Sequence, residues 1–234
     1  MSNIIECFGV TKRYKDVLAL SNLTFQVPNE GAIVGLLGPN GSGKTTLIKI
    51  LAGVLQPTVG VVNVGEKPIG VETKAMVSYL SDSYSLFENY TVSEQMDYYE
   101  DFFYDFDRQK AEKMLMELGV DLKSKIKHLS KGNKEKVSLI LTLSRNAKLY
   151  ILDEPIAGVD PAAREYILQT IIAMKNANST LIISTHLISE IEEYFDYILF
   201  LKQGKIALEG HRKEIVEREG KTIDGLFREV FKWM

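Results

Sequence analysis

The sequence predicts an α/β fold: a P-loop NTPase core with a mainly parallel sheet, an N-terminal antiparallel β-subdomain and an inserted α-helical subdomain. Three observations carry that expectation. Short apolar runs rich in Ile, Val and Leu recur at 32–38 (AIVGLLG), 149–153 (LYILD), 180–185 (TLIIST) and 197–201 (YILFL). Helical patterns such as PAAREYILQTIIAMKNA at 161–177 lie between the later runs, and buried strands alternating with helices read as a parallel sheet covered on both faces. Residues 83–145 lack a buried-strand pattern and read as helices, which interrupts the alternation.

Taken in order, the first 30 residues and 59–69 (VGVVNVGEKPI) carry short strand patterns with Gly, Pro and Asn turns, the signature of an antiparallel flap. The 234 residues then divide as one domain: core at 1–82 and 146–234, inserted helices at 83–145. The end of the chain, KTIDGLFREVFKWM, reads as a short amphipathic helix with Leu226, Val230 and Trp233 near one face, expected to pack back on the core, with a subunit contact as the alternative. Hydrophobic residues make up 45% of the chain, enough for a sizeable core. A formal charge of −3 argues against a nucleic-acid partner held through bulk charge. A single cysteine, Cys7, excludes an internal disulfide and a cysteine zinc cluster. No signal peptide and no run long enough to span a membrane are expected.

The run GPNGSGKT (38–45) follows a predicted strand and opens the helical run TTLIKILAGVL. This is a phosphate loop in its required context. Gly38, Gly41 and Gly43 let backbone N–H groups turn inward at a helix N-terminus, whose dipole favours anions. Lys44 reaches the β- and γ-phosphates, and the Thr45 hydroxyl is a candidate ligand for Mg²⁺. Pro39, Asn40, Ser42 and Thr46 complete the candidate nucleotide-binding run. In KLYILDEP (148–155), apolar residues bury the strand. Asp153 emerges at its end to hold Mg²⁺ through water, and Glu154 stands one position on to polarise an attacking water.

With LSKGNK upstream of that strand, the chain resembles the ATP-binding subunits of ABC transporters, over nearly its whole length and with the motifs in family order. The resemblance implies that Tyr14 in TKRYKDVLAL stacks on adenine. It makes LSKGN (129–133) the signature, AGVD (157–160) the D-loop, and His186 in IISTHLISEIEE the switch histidine approaching the γ-phosphate. It further implies ATP and Mg²⁺ held in a sandwich between two ATPase subunits. Ser130 and the N–H of Gly132 would then hold the γ-phosphate of the ATP on the partner subunit. Two departures stand out. Lys131 replaces the first signature glycine and Asn133 the usual glutamine. The Q-loop glutamine falls on Asp82, a carboxylate that could ligate Mg²⁺, would be repelled by phosphate if the metal is absent, or could point away from the site, which ranks it below Thr45 as a ligand.

Residues 82–107 hold eight Asp/Glu, nine Tyr/Phe and no Lys or Arg. Val92, Met96, Tyr99 and Phe103 follow helical spacing and are expected in the core. The remaining aromatics and acids would form an acidic, aromatic face. By the resemblance, that face receives a coupling helix from a separate membrane permease, and an acidic face calls for a basic one. The expected whole is a peripheral subunit on the cytoplasmic face of the plasma membrane that hydrolyses ATP to power transport, with export favoured over import. The alternatives are an importer subunit, a non-transport ABC ATPase of the translation or repair type, and a regulatory module that binds ATP without turnover.

Overall fold

The computed structural model describes residues 2–81, 86–157 and 159–232. It opens with two long strands, β1 (Asn3–Tyr14) and β2 (Val17–Pro28), followed by β3 (Ile33–Leu37) and α1 (Lys44–Leu51). Next come β4 (Val59–Val64), β5 (Lys67–Pro68), α2 (Val71–Met76) and β6 (Val77–Leu80). Three helices follow: α3 (Val92–Phe102), α4 (Arg108–Glu117) and α5 (Lys131–Leu143). The chain then returns to strands with β7 (Leu149–Asp153), α6 (Pro161–Met174), β8 (Thr180–Thr185) and the short α7 (Ile188–Ile191). It closes with β9 (Tyr197–Lys202), β10 (Lys205–His211), α8 (Arg212–Glu219) and α9 (Ile223–Val230). None of the described helices is long and apolar enough to cross a membrane.

Two sheets organise these elements. The larger has strand order β10-β9-β3-β8-β7-β6, parallel except for β10, which turns back antiparallel on β9. The smaller, β2-β1-β4-β5, is antiparallel throughout. Alternation along the central strands splits the interior in two, because successive side chains point to opposite faces. Val34, Leu36, Ile151 and Leu199 join α1 residues Leu47, Ile48, Ile50 and Leu51 in the core shared with the antiparallel sheet. Leu37, Tyr150, Leu152, Ile198 and Phe200 face the other way, into a core closed by helices α3–α9. Helix α1 is therefore held between the sheets by Leu47, Ile48, Ile50 and Leu51, all buried.

The helical segment begins and ends on local signals. Thr91 caps α3 in a reciprocal box: its hydroxyl accepts from the N–H of Glu94 at 3.1 Å, and the Glu94 carboxylate accepts from the N–H of Thr91 at 2.7 Å. Asp107 caps α4 and Ser130 caps α5. Val92 and Met96 are buried, with Tyr99 packed against the same core, as their spacing predicts. At the C-terminus Ile223 and Leu226 of α9 are buried and Val230 packs beside them. Trp233 lies outside the described residues.

The N-terminal strands differ from expectation in length, at 12 residues each. Register shifts, one of them between Cys7 and Val10, account for this. A bulge at Gly9 (φ +60°) lets one long strand bend where a flat strand would have ended.

Gly35, mid-strand in β3, shows how tightly the central strand is covered. A Cβ there would lie 2.8 Å from two ring carbons of Phe195. Gly35→Ala is expected to cost about 1–3 kcal/mol by overpacking, read as a lower urea midpoint. Adding Phe195→Leu should recover part of the loss. An unchanged midpoint for Gly35→Ala would contradict this packing.

Candidate functional site

The site gathers at the carboxyl ends of β3, β7 and β8, where loops leave adjacent parallel strands. From β3 the chain turns through Gly38, Pro39, Asn40, Gly41, Ser42 and Gly43 into α1. Two of the glycines are required by space. A Cβ on Gly38 would sit 2.4 Å from the carbonyl oxygen of Leu201, and Gly43 (φ +107°) would meet that of Ala19 at 2.7 Å. At Gly41 a Cβ would meet nothing within 4 Å, so the loop is open on that side. The Ser42 backbone pins the loop, its N–H donating to Pro39 at 3.2 Å and its carbonyl accepting from Gly204 at 2.9 Å. Among the described residues no acceptor takes the N–H groups of Gly41, Gly43, Lys44 or Thr45. Together with the N-terminal end of α1 they make a cradle of donors suited to an anion.

Lys44 is the buried cation of this cradle. Its ammonium donates to the carbonyls of Gly38 (2.7 Å) and Pro39 (3.3 Å) and lies 3.9 Å from Oε1 of Glu154. Burial pushes its pKa down, while the carboxylates of Glu154 and Asp153 pull it back up. An anion entering the cradle would reinforce the charged form. Thr45 and Thr46 follow in the first turn of α1, both half-buried.

Asp153 and Glu154 leave the end of β7 in different environments. Asp153 is only 3% exposed; its Oδ1 accepts from the Ser184 hydroxyl at 2.5 Å, and its Oδ2 is buried with no hydrogen-bond partner. The chain then turns sharply, with Glu154 in the left-handed region at φ +52°. Such a conformation persists in a non-glycine residue only where neighbours enforce it. Here Ser184 does so, its hydroxyl and carbonyl oxygens both accepting from the Glu154 N–H, at 3.0 and 3.2 Å. The turn sends the Glu154 carboxylate towards Lys44 and places Oε2 2.9 Å from Nδ1 of His186, itself 52% exposed. Ser184 thus orients both acids. A lone serine inside the apolar run TLIIST carries no motif, so its role is not legible in the sequence.

Of the sequence-predicted residues, the structure brings Lys44, Asp153, Glu154 and His186 together. Tyr14 stands apart on the β1–β2 hairpin, 43% exposed, with the Lys12 ammonium 5.3 Å from its ring centroid. Ser130 and Gly132 open α5, where the Ser130 hydroxyl accepts from the N–H of Asn133 at 3.2 Å and Lys131 lies 4.0 Å from Glu135. That helix packs on α3, α4 and β6, whereas α1 packs on β2, β4 and β7. Asp82 lies outside the described residues.

The donor set fits a hard divalent cation shared with phosphate. The unpartnered Oδ2 of Asp153 is an anionic acceptor facing no internal donor, and the Thr45 hydroxyl supplies neutral oxygen. Among the described residues no group of three or more His, Cys, Asp or Glu could hold a metal ion. A cation here would therefore rely on ligand phosphates and water for most of its shell, the habit of Mg²⁺.

Residues 20–157 match the model of the ABC transporter family. The chain is 31% identical over 221 residues to YhaQ of Bacillus subtilis (strain 168), covering 91% of this chain and 72% of the relative. It is 33% identical over 223 residues to MJ1023 of Methanocaldococcus jannaschii, covering 92% and 80%. Both carry the name of uncharacterized ABC transporter ATP-binding proteins. Among solved structures, an ATP-binding subunit of an ABC transporter superposes with a TM-score of 0.84 at 28% identity, over 97% of this chain and 98% of the other. The dimeric ATP-binding cassette MJ0796, bound to ADP and Pi, shares the fold at a TM-score of 0.77 and 23% identity, over 88% and 98%. Motif order, fold and relatives agree: the chain belongs to the ABC transporter family, as an ATP-binding subunit.

Proposed function

We propose that this chain binds ATP with Mg²⁺ and hydrolyses it to drive transport through a separate membrane permease. The observation that carries the reading is the convergence of Lys44, Asp153, Glu154 and His186 on a cradle of N–H groups that donate to no acceptor among the described residues. In the ATP-bound state the Lys44 ammonium exchanges its bonds to Gly38 and Pro39 for oxygens of the β- and γ-phosphates. The N–H groups of Gly41, Gly43, Lys44 and Thr45 surround the same phosphates, with Asn40, Ser42 and Thr46 around them. Thr45 and the Oδ2 of Asp153 are the groups that would hold Mg²⁺, with Asp82 as a third; bound there, the metal neutralises charge developing on the phosphates. Glu154 takes a proton from the attacking water. His186, hydrogen-bonded to Glu154, holds that carboxylate in place and approaches the γ-phosphate from the β8 end. Tyr14 offers its exposed face to adenine.

The remaining groups need a second subunit. Ser130 and Gly132 open α5, which packs chiefly on α3, α4 and β6, and in this reading they serve the nucleotide of a partner copy. The dimeric relative holding ADP and Pi supports that arrangement. The acidic, aromatic face of α3 and its flanks, with Phe87, Tyr90, Phe102 and Tyr104 exposed, is the proposed seat of a basic segment of the permease. The subunit then sits peripherally on the cytoplasmic face of the plasma membrane. Export is the proposed direction, by the exporter-like look of 79–96 and the signature. Nucleic acid is not a proposed partner, given the acidic balance of the chain.

Glu154→Gln should keep ATP binding and lower turnover by roughly 10²–10⁴, the usual worth of a general base. A steady-state phosphate-release assay checks this, and retention of more than about a tenth of the wild-type rate would remove Glu154 from the base's role. Ser184→Ala leaves both acids in place but unfastened. Turnover is expected to fall about 10–100-fold, as for other groups that orient ligands from behind, with ATP binding retained in equilibrium dialysis. Wild-type turnover in this variant would mean that the Glu154 turn holds without Ser184. Asp82→Asn should raise the Mg²⁺ concentration giving half-maximal activity; an unmoved titration would put Asp82 outside the metal shell.

A further inference from the structure

Arg145 is the most deeply buried arginine described in this structure, 4% exposed, and it belongs to no motif. It follows the Ser144 cap of α5, and its guanidinium reaches two separate pieces of chain, 103–105 and 75–77. Its Nε and Nη2 donate to the two oxygens of Asp105, at 2.9 and 3.2 Å. Nη2 also donates to the carbonyl of Ala75 at 2.8 Å, and Nη1 to that of Val77 at 2.8 Å. The ring of Phe103 lies 4.0 Å from Cζ. Backbone bonds close the same knot: the N–H of Asp107 donates to Ser144 at 2.7 Å and that of Asn146 to Asp105 at 2.8 Å. A buried ion pair of this kind adds little net stability over apolar packing, yet it accepts only one arrangement of its partners. Its worth is register.

What that register controls follows from where the tied pieces lead. At one end, α5 runs 13 residues back from the knot to Ser130 and Gly132, roughly 20 Å away. At the other, Val77 starts β6, whose last residue, Leu80, pairs with Leu152, the neighbour of Asp153. The guanidinium therefore clamps the far end of the signature helix to the edge strand of the sheet that carries the acidic pair. We infer that Arg145 is a positioning residue: with Asp105 it fixes the direction in which α5 presents Ser130 and Gly132 relative to the Lys44 and Asp153 half-site. The inference rests on the two-subunit reading for its effect on turnover, but the geometry itself belongs to the single chain.

The test separates the two. Spin labels on Lys127→Cys, beside the start of α5, and Lys67→Cys, in the antiparallel sheet, report the helix direction by pulsed dipolar spectroscopy; Cys7 is buried and stays unlabelled. The wild-type background should give one narrow distance distribution. In the double variant Asp105→Leu/Arg145→Met, which removes both charges together and keeps apolar volume, the melting temperature should hold while the distribution broadens. Turnover at saturating ATP should drop about tenfold or more with ATP affinity changed by less than about twofold, the pattern of misplacement and not of lost binding. Arg145→Lys keeps the charge but not the fork that reaches Asp105 and both carbonyls, so it should broaden the distribution too and serves if the double variant folds poorly. Wild-type distributions and turnover in either folded variant would overturn the inference. Failure of the wild-type chain to dimerise in ATP would sink the two-subunit reading and leave the distance result standing.

Discussion

The parallel pairing of β8 with β3 on one side and β7 on the other is the constraint on which the site depends. It sets Thr185 opposite Leu37, the residue before the phosphate loop, and Ser184 opposite Asp153. One strand end therefore stands between the cation and the acids that must meet it. A slip of one residue would turn the Ser184 side chain to the other face of the sheet and release both Asp153 and Glu154. The burial of all six residues of β8 makes such a slip costly, because every position has a fixed neighbour on each face.

From that pairing the rest follows outward. The sheet delivers the loop to its place, and α1 holds it there by being buried between two sheets. Gly38 and Gly43 are then the residues that let the backbone pass Leu201 and Ala19 without collision. The positive φ of Glu154 is local strain maintained by Ser184, and it redirects a carboxylate that would otherwise continue along the strand. Lys44 donates to two loop carbonyls and is largely buried, so its ammonium is desolvated and held at the cradle by the loop itself.

Much of this was legible in the sequence, for reasons that differ by residue. The four apolar runs become β3, β7, β8 and β9 because a strand covered on both faces needs unbroken hydrophobicity. Strand β6 escaped notice: VSYL is four residues long, directly follows α2, and carries Ser78, whose hydroxyl is buried against the carbonyl of Thr142. Strand β10 escaped as well, because its half-exposed, charged sequence is that of an edge. Lys44, Asp153, Glu154 and His186 were readable because each occupies a fixed place in a motif. Ser184 and Arg145 were not, since the chemistry of each depends on partners distant in sequence: Ser184 works 31 residues from Asp153, and Arg145 works 40 residues from Asp105. The resemblance marked Ser130 for the site, while in the single chain it opens α5, whose main packing is on α3, α4 and β6.

That separation makes the central claim testable with mixed subunits. One population carries Lys44→Ala and the other Ser130→Arg, so every site of either homodimer lacks an essential half. In a mixed dimer with two-fold geometry the lesions fall together, leaving one site with two intact halves. Random mixing should leave roughly a quarter of all sites whole. Nucleotide trapped on verified mixed dimers should exceed that on either homodimer if Ser130 serves the ATP of its partner. Trapping no better than in the homodimers would contradict a site completed across two copies of this chain.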